Sequence, residues 1–233
     1  MNNSQFLQVL KESFITYLKT SPRSNKKLLI LHGAISKDFA ERLGKGYEVS
    51  SLGYKAGKEK VVAGRYIDKA VDITVLRDGK PVAGIAVKYV MSNYAQNSNN
   101  YFENMLGETA NIRTANIPYF QVFVIPDKIP YFNKQNDIQK WEQITGHNLE
   151  KYIRLSQDNI DTFMHTPNKT LFFLVHIPES EKALTNKKDY NEYYLSDDFQ
   201  LQKSNMKANF GNAVVYNDYE TFAEKVTYAI KSI

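Results

Sequence analysis

The chain has 233 residues, a formal net charge of +5 and no cysteine. This length is enough to bury a hydrophobic core without disulfides or structural metals. The absence of cysteine excludes cysteine nucleophiles, thiolate zinc sites and iron–sulfur clusters, and it is typical of proteins from a reducing compartment.

Two amphipathic helices are predicted at the N-terminus, over residues 4–19 and 27–43. Ser21 and Pro22 are expected to end the first helix, and Gly44 and Gly46 to end the second. The N-terminus lacks the basic and apolar regions of a signal peptide, and no apolar run approaches the roughly 20 residues of a membrane helix. We therefore expect a cytoplasmic protein with no membrane partner.

The segment 47–69 is basic and rich in glycine. Residues 1–70 contain 13 Lys and Arg against 6 Asp and Glu, so the first third carries +7 and the remainder −2. The sequence GYKAGK is not a phosphate-binding P-loop, because the interval between Gly53 and Gly57 is one residue short and Glu59 replaces the hydroxyl residue. A loop that approaches a nucleic-acid backbone fits this composition, and an exposed basic loop without a ligand is the alternative.

A β-hairpin is predicted next. Residues 71–76 and 81–90 have strand composition, and Asp78-Gly79 between them is typical of a tight turn. Alternation along the second strand places Ala86 and Lys88 on the same face. A lysine in mid-strand costs free energy unless an anionic group accompanies it, so we expect an acidic neighbour for Lys88.

The remainder of the chain alternates between strands and helices. This pattern predicts a single domain of the α/β class, a three-layer α/β/α fold with a central mixed sheet. Residues 1–46 are interpreted as a helical scaffold, 47–178 as the core and 179–233 as a Tyr- and Asn-rich excursion followed by a terminal strand and helix. The predicted strands cover residues 119–125, 170–177 and 212–216, and the predicted helices cover 101–112, 137–155 with a break near Gly146, and 219–231.

Three ionisable residues stand on successive elements of this core: Asp72, Lys88 and Glu103. Hydrolysis of a phosphodiester uses a hard divalent cation held by carboxylates, which polarises the phosphate and makes a water more acidic. A lysine beside the cation stabilises the charge that develops on the phosphate. Paired strands bring Asp72 and Lys88 together, and the following helix can add Glu103.

This stretch resembles the PD-(D/E)XK nuclease superfamily, and type II restriction endonucleases in particular. The family's Asp corresponds to Asp72 in VDI, and its Lys to Lys88 in IAVKY. The acid of the family pattern is replaced by Ala86, and Glu103 at the end of NSNNYFE stands where some members carry a displaced acid. The sequence leaves open whether Ala86 is native or an introduced replacement.

The resemblance implies a restriction endonuclease-like fold and Mg²⁺-dependent cleavage of double-stranded DNA at a short specific sequence, with Mn²⁺ as a substitute ion. It also implies a homodimer, and a DNA methyltransferase as genetic partner. Asp72 and Glu103 would hold the metal with the Val87 carbonyl, Lys88 would position water and phosphate, and Glu59 would be an upstream acid.

Several alternatives remain open from the sequence. Glu108 is a second candidate acid, but it lies about 140° around the helix from Glu103, so both cannot face one ion and Glu103 is preferred. The four histidines form no ligand motif and are interpreted as structural: His32, His147, His165 and His176. The chain is alternatively an inactive nucleic-acid-binding protein of the same fold, or a structure-specific DNA-repair nuclease.

Overall fold

A seven-stranded sheet of parallel and antiparallel strands forms the centre of the computed structural model, which describes residues 1–20, 24–55, 57–196 and 198–233. Helices cover both faces of this sheet, so the predicted three-layer α/β/α fold with a mixed sheet is confirmed. The helices are α1 Asn3–Lys19, α2 Lys26–Leu43, α3 Tyr94–Arg113, α4 Gly146–Ser156, α5 Lys187–Ser196 and α6 Tyr219–Lys231. The strands are β1 Glu48–Ser51, β2 Lys60–Val62, β3 Lys69–Val71, β4 Ile73–Arg77, β5 Lys80–Tyr89, β6 Tyr119–Pro126, β7 Lys128–Phe132, β8 Ile138–Gln143, β9 Lys169–His176, β10 Gln202–Lys203 and β11 Val214–Tyr216.

The sheet order is β1-β4-β5-β6-β9, and both β10 and β11 pair with β9. Strands β5, β6 and β9 are parallel to one another, while β1–β4 and β4–β5 are antiparallel. Asp78 and Gly79 join β4 to β5, and both have positive φ angles, 53° and 72°, which matches the tight turn predicted for this pair. Two further hairpins, β2–β3 and β7–β8, lie outside the main sheet.

Each face of the sheet has its own apolar core. The larger core lies between the sheet and α1, α2, α5 and α6, and it contains the side chains of β6 at Phe120, Val122 and Val124. The smaller core lies on the opposite face against α3 and α4, and it contains Phe123 and Ile125. Strand β6 is buried along its whole length because successive side chains enter opposite cores. None of the helices in the described ranges has both the length and the apolar character that crossing a bilayer requires.

Two predicted helices have different bounds in the structure. The helix predicted over 137–155 is wrong in its first half, because residues 138–143 form β8 and the helix begins only at Gly146, after a capping box between Thr145 and Asn148. Helix α3 begins seven residues before the predicted start at residue 101, directly after Asn93. The predicted helix end at Ser21-Pro22 lies outside the described residues.

Helix α3 begins early because a tertiary contact fixes its first turn. Asn93 adopts a left-handed conformation, with φ of 51°. Its side chain donates to the carbonyl of Phe132 at 3.0 Å and accepts from the backbone N–H of Phe132 at 3.1 Å. Asparagine runs have modest helix propensity, so tertiary packing against the β7–β8 hairpin decides the conformation here.

Helix α2 rests directly on the backbone of the turn that follows β1. A Cβ atom added at Gly33 would overlap the carbonyl group of Gly53, and one added at Gly53 would overlap the carbonyl group of Leu29. Gly53 also has a φ of 76°, which L side chains rarely adopt. This contact between two glycines fixes the position of the α2 turn that carries His32.

Candidate active site

A cleft of about 620 Å³ opens beside the sheet where α2, the β3–β5 region, α3 and β6 meet. Its wall carries most of the titratable side chains that the sequence singled out. Asp72, Lys88 and Glu59 all line it, together with Glu108 and His32. The cleft therefore brings together three of the residues that the sequence assigns to phosphodiester hydrolysis, Asp72, Lys88 and Glu59.

Asp72 lies at a bend in the chain between β3 and β4. The predicted strand over residues 71–76 is split at this point, because β3 pairs with β2 while β4 pairs with β5. The Asp72 carboxylate accepts a 2.7 Å hydrogen bond from the backbone N–H of Val87. The bend thus turns Asp72 toward the adjacent strand, as the hairpin prediction requires.

Burial raises the pKa of the Asp72 carboxyl to about 6. The Val87 hydrogen bond acts in the opposite direction, the charge of Glu108 raises the pKa further, and Lys69 and Lys88 lower it. Asp72 is consequently an anion at neutral pH that a cation in the cleft would stabilise.

Lys88 has the acidic neighbours that its mid-strand position predicted. Loss of water lowers the pKa of its ammonium group, and the charges of Asp72 and Glu108 oppose that shift. The ammonium nitrogen also lies 4.6 Å from the centre of the Tyr101 ring, within cation–π range. Lys88 therefore presents a positive charge in the cleft, where it is subject to the charges of Asp72 and Glu108 and lies over the Tyr101 ring.

Glu59 lies close to Asp72, and its role as an upstream acid stays a prediction. One carboxylate oxygen of each residue and one ring nitrogen of His32 all lie within 4.8 Å of one another. Over the described part of the chain, this is the only group of three such residues close enough to share an ion. Its members come from α2, the segment before β2, and the bend before β4.

His32 departs from its interpretation as an unrelated structural residue. The side chain is 1 % exposed, and neither ring nitrogen has a hydrogen-bond partner within the described ranges. Burial lowers the pKa of the ring to about 4, against the charge of Glu59, so the ring is neutral at pH 7. The other three histidines lie beside single carboxylates elsewhere: His147 at Glu150, His165 at Asp158 and His176 at Asp127.

Glu103 does not line the cleft, and the preference for Glu103 over Glu108 needs correction. The α3 residues that face the cleft are Tyr101, Asn104, Met105 and Glu108, which recur at helical spacing on one side of the helix. Glu103 lies on another side of the helix, where it is exposed. Its charge raises the pKa of Lys151, which burial lowers. Glu108 instead forms a 2.5 Å ion pair with Lys69 at the cleft wall.

Ala86, at the position that carries an acid in the nucleases that the sequence resembles, lines the cleft. Ala86 is 7 % exposed and lies next to the bend at Asp72, because Ile73 pairs with Ile85. Its partner on β6 is Gln121, a buried amide that also lines the cleft. The Val87 N–H is used by Asp72, and the role of the Val87 carbonyl as a metal ligand stays a prediction.

Comparison of the chain with protein-family models, curated proteins and solved structures finds no match. The resemblance to PD-(D/E)XK nucleases therefore depends on the residues Asp72, Lys88 and their spacing.

Proposed function

We propose that the protein is a divalent-metal-dependent endonuclease that hydrolyses phosphodiester bonds in double-stranded DNA, as type II restriction endonucleases do. The observation that supports this proposal is the convergence of Asp72, Lys88 and Glu59 in one cleft. Two carboxylates and a lysine on adjacent segments are the groups that metal-assisted phosphodiester hydrolysis uses.

The side chains fit a divalent cation. Asp72 and Glu59 supply oxygen ligands, which Mg²⁺ prefers, and Mn²⁺ accepts the same set. One ring nitrogen of buried His32 lies close to these two carboxylates, and neither ring nitrogen has a hydrogen-bond partner in the described residues, which supports a site for an ion. When bound, the cation would polarise the phosphate and make a water molecule more acidic.

Lys88 would bind a non-bridging oxygen of the phosphate. Its charge is partly desolvated, so the charge that develops on the phosphate is stabilised more strongly than it would be in water. Lys69 and Lys27 also line the cleft and add positive charge around the substrate. Glu108 would hold Lys69 at the cleft wall through their ion pair.

The β2–β3 hairpin offers a surface for the DNA backbone beside the cleft. It leads directly into Asp72, and Lys60, Arg65 and Tyr66 in it are exposed. Tyr66 is 77 % exposed, with the Arg65 guanidinium 5.8 Å from its ring centre. Lysine and arginine contacts to phosphates supply sequence-independent affinity, and an exposed aromatic ring can stack on a base.

Cleavage of both strands at a palindromic site would require two copies of the cleft related by a two-fold axis, so a homodimer belongs to this proposal. A DNA methyltransferase encoded nearby would protect the host's own sites. A second candidate is a protein of the same fold that binds nucleic acid without cutting it. The observation that favours it is Ala86, which leaves the family's second acid position without a carboxylate.

The proposal is tested by incubating the protein with supercoiled plasmid and phage genomic DNA in Mg²⁺, Mn²⁺ or EDTA. Discrete fragments that need a divalent ion support a restriction endonuclease. Cleavage confined to nicked, branched or single-stranded substrates indicates a repair nuclease instead. DNA binding without cleavage of any substrate in either metal contradicts the nuclease proposal and supports the binding protein.

The two acids of α3 provide a matched pair of variants. We expect Glu108→Gln to reduce cleavage by roughly 10-fold or more, because it frees Lys69 and removes a charge that acts on both Asp72 and Lys88. Glu103→Gln should change the rate less than about 2-fold, since exposed charges away from a site have small effects. Initial rates on one plasmid substrate measure the effect of both variants. A larger loss for Glu103→Gln than for Glu108→Gln would support Glu103 as the acid of the site.

A further inference from the structure

We infer that His32 is a metal ligand, and that the cleft accordingly prefers divalent ions of the first transition row, such as Mn²⁺, to Mg²⁺. The inference rests on the proposed function in one respect: the cation bound in the cleft is the one that the proposed nuclease uses. It adds a nitrogen ligand from α2 to the two carboxylates, and with it a metal preference that an all-oxygen set lacks.

The first support is the unmet bonding of the imidazole. His32 is 1 % exposed, and neither of its nitrogens has a hydrogen-bond partner in the described residues. A buried polar group without a partner loses its hydrogen bonds to water and gains none in the protein, so such a group needs an explanation such as an ion. His32 is also the residue whose ring nitrogen lies within 4.8 Å of oxygens on both Glu59 and Asp72.

The second support is the rigidity of the place from which His32 reaches the acids. Gly33 follows His32 on α2 and packs directly on the backbone of Gly53, so the backbone that carries His32 is held against the turn after β1. Ligands that share one ion at about 2.1 Å lie at most about 4.2 Å apart, so shifts below about 1 Å would complete the set.

The chemistry of the donors sets the preference. Mg²⁺ demands oxygen ligands and near-octahedral geometry, and it keeps several of its waters. Imidazole nitrogen favours transition-metal ions, whose affinity for nitrogen–oxygen sites rises along the row from Mn²⁺. A site with one imidazole and two carboxylates should therefore bind Mg²⁺ less tightly than a transition-metal ion, because Mg²⁺ gains little from the nitrogen ligand.

The test measures metal binding without DNA. Chelator-treated protein is titrated with Mn²⁺ and with Mg²⁺ by calorimetry, as wild type, His32→Gln and His147→Gln. His147 is the control because its side chain is 86 % exposed, pairs with the exposed Glu150 and does not line the cleft. We expect wild type to bind Mn²⁺ at least about 10-fold more tightly than Mg²⁺, and His32→Gln to lose about 10-fold or more for Mn²⁺ with little change for Mg²⁺.

Equal affinity of the wild type for the two ions, or an equal loss for both in His32→Gln, would overturn the inference. Pulsed electron paramagnetic resonance of the Mn²⁺ complex gives a readout that needs no variant. Nitrogen modulation from the wild-type complex is expected, and its absence overturns the assignment even where His32→Gln fails to fold.

The two proposals fail separately. A protein that binds Mn²⁺ through nitrogen but cuts no DNA contradicts the nuclease and leaves the metal site intact. A protein that cuts DNA in Mg²⁺ and gives no nitrogen modulation with Mn²⁺ contradicts the role of His32 alone.

Discussion

Replacing Asp72 by Asn should abolish DNA cleavage while it increases the stability of the fold at neutral pH. Asn can still accept the Val87 hydrogen bond through its amide oxygen, so the bend between β3 and β4 is kept. It removes the anionic ligand, and with it several kcal/mol of transition-state stabilisation by the cation, or a rate loss on the order of 10³-fold. Cleavage of plasmid DNA in Mg²⁺ and in Mn²⁺ measures this loss.

The gain in stability follows from the raised pKa of the same carboxyl. Because the pKa rises from 3.8 to about 6 in the folded chain, the native state binds the proton more tightly, and wild-type stability falls as pH rises from about 4 to 6. The Asn side chain of Asp72→Asn does not titrate, so the variant does not lose stability in this way as pH rises. The difference in unfolding free energy should therefore grow over that pH range and stay level above it, at no more than about 3 kcal/mol.

Thermal or urea unfolding of both proteins between pH 4 and 8 measures the difference. Asp68→Asn is the control, since Asp68 is exposed on the neighbouring hairpin and should leave stability nearly unchanged. A loss of stability in Asp72→Asn at pH 7 would show that Asp72 supports the fold and would remove it from the proposed site. Cleavage by Asp72→Asn at the wild-type rate would show that Asp72 has no catalytic role.

Lys88→Met should reduce cleavage by on the order of 10²–10³-fold, as expected when one group that stabilises transition-state charge is removed. Methionine keeps most of the apolar stem and loses only the cation–π contact of the ammonium group with Tyr101, so the strand should remain folded. Binding of Mn²⁺ should persist or become tighter, because a positive charge beside the carboxylates is lost. Loss of cleavage with retained ion binding would separate the role of Lys88 from that of Asp72.

Lys188→Met is the matched control for this change. Lys188 lies on α5, with a side chain 81 % exposed and paired with the exposed Glu192, and such pairs contribute little. We expect it to cut DNA at the wild-type rate. If Lys88→Met also cuts at that rate, or if it loses ion binding together with cleavage, the assigned role of Lys88 is wrong.

The order of elements and the pair of residues on the hairpin could be predicted from sequence because their signals are local. The Asp78-Gly79 turn pairs the ends of β4 and β5 next to it, Arg77 with Lys80. A bulge at Val75 then shifts the register by one residue, and the shifted pairing still places Asp72 beside the strand of Lys88. Buried strands such as β6 are also evident as apolar runs. These features follow from pairing and patterning over short distances.

The remaining members of the site depend on long-range packing. His32 lies 27 positions before Glu59, and nothing in that spacing predicts a shared ion. Its place follows from the close approach of α2 to the turn at Gly53. The choice between Glu103 and Glu108 depends on how α3 is rotated against the sheet, which is decided by the apolar contacts of the helix and not by the caps or the acids themselves.

The contact between Gly33 and Gly53 should make both positions sensitive to random substitution. Neither glycine reaches the cleft, yet any side chain at either position would push α2 away from the turn and shift His32 relative to Glu59. A random-mutagenesis screen for lost cleavage would accordingly recover both glycines beside Asp72 and Lys88. Positions that only hold the backbone in place would then be as sensitive to substitution as the residues whose side chains line the cleft.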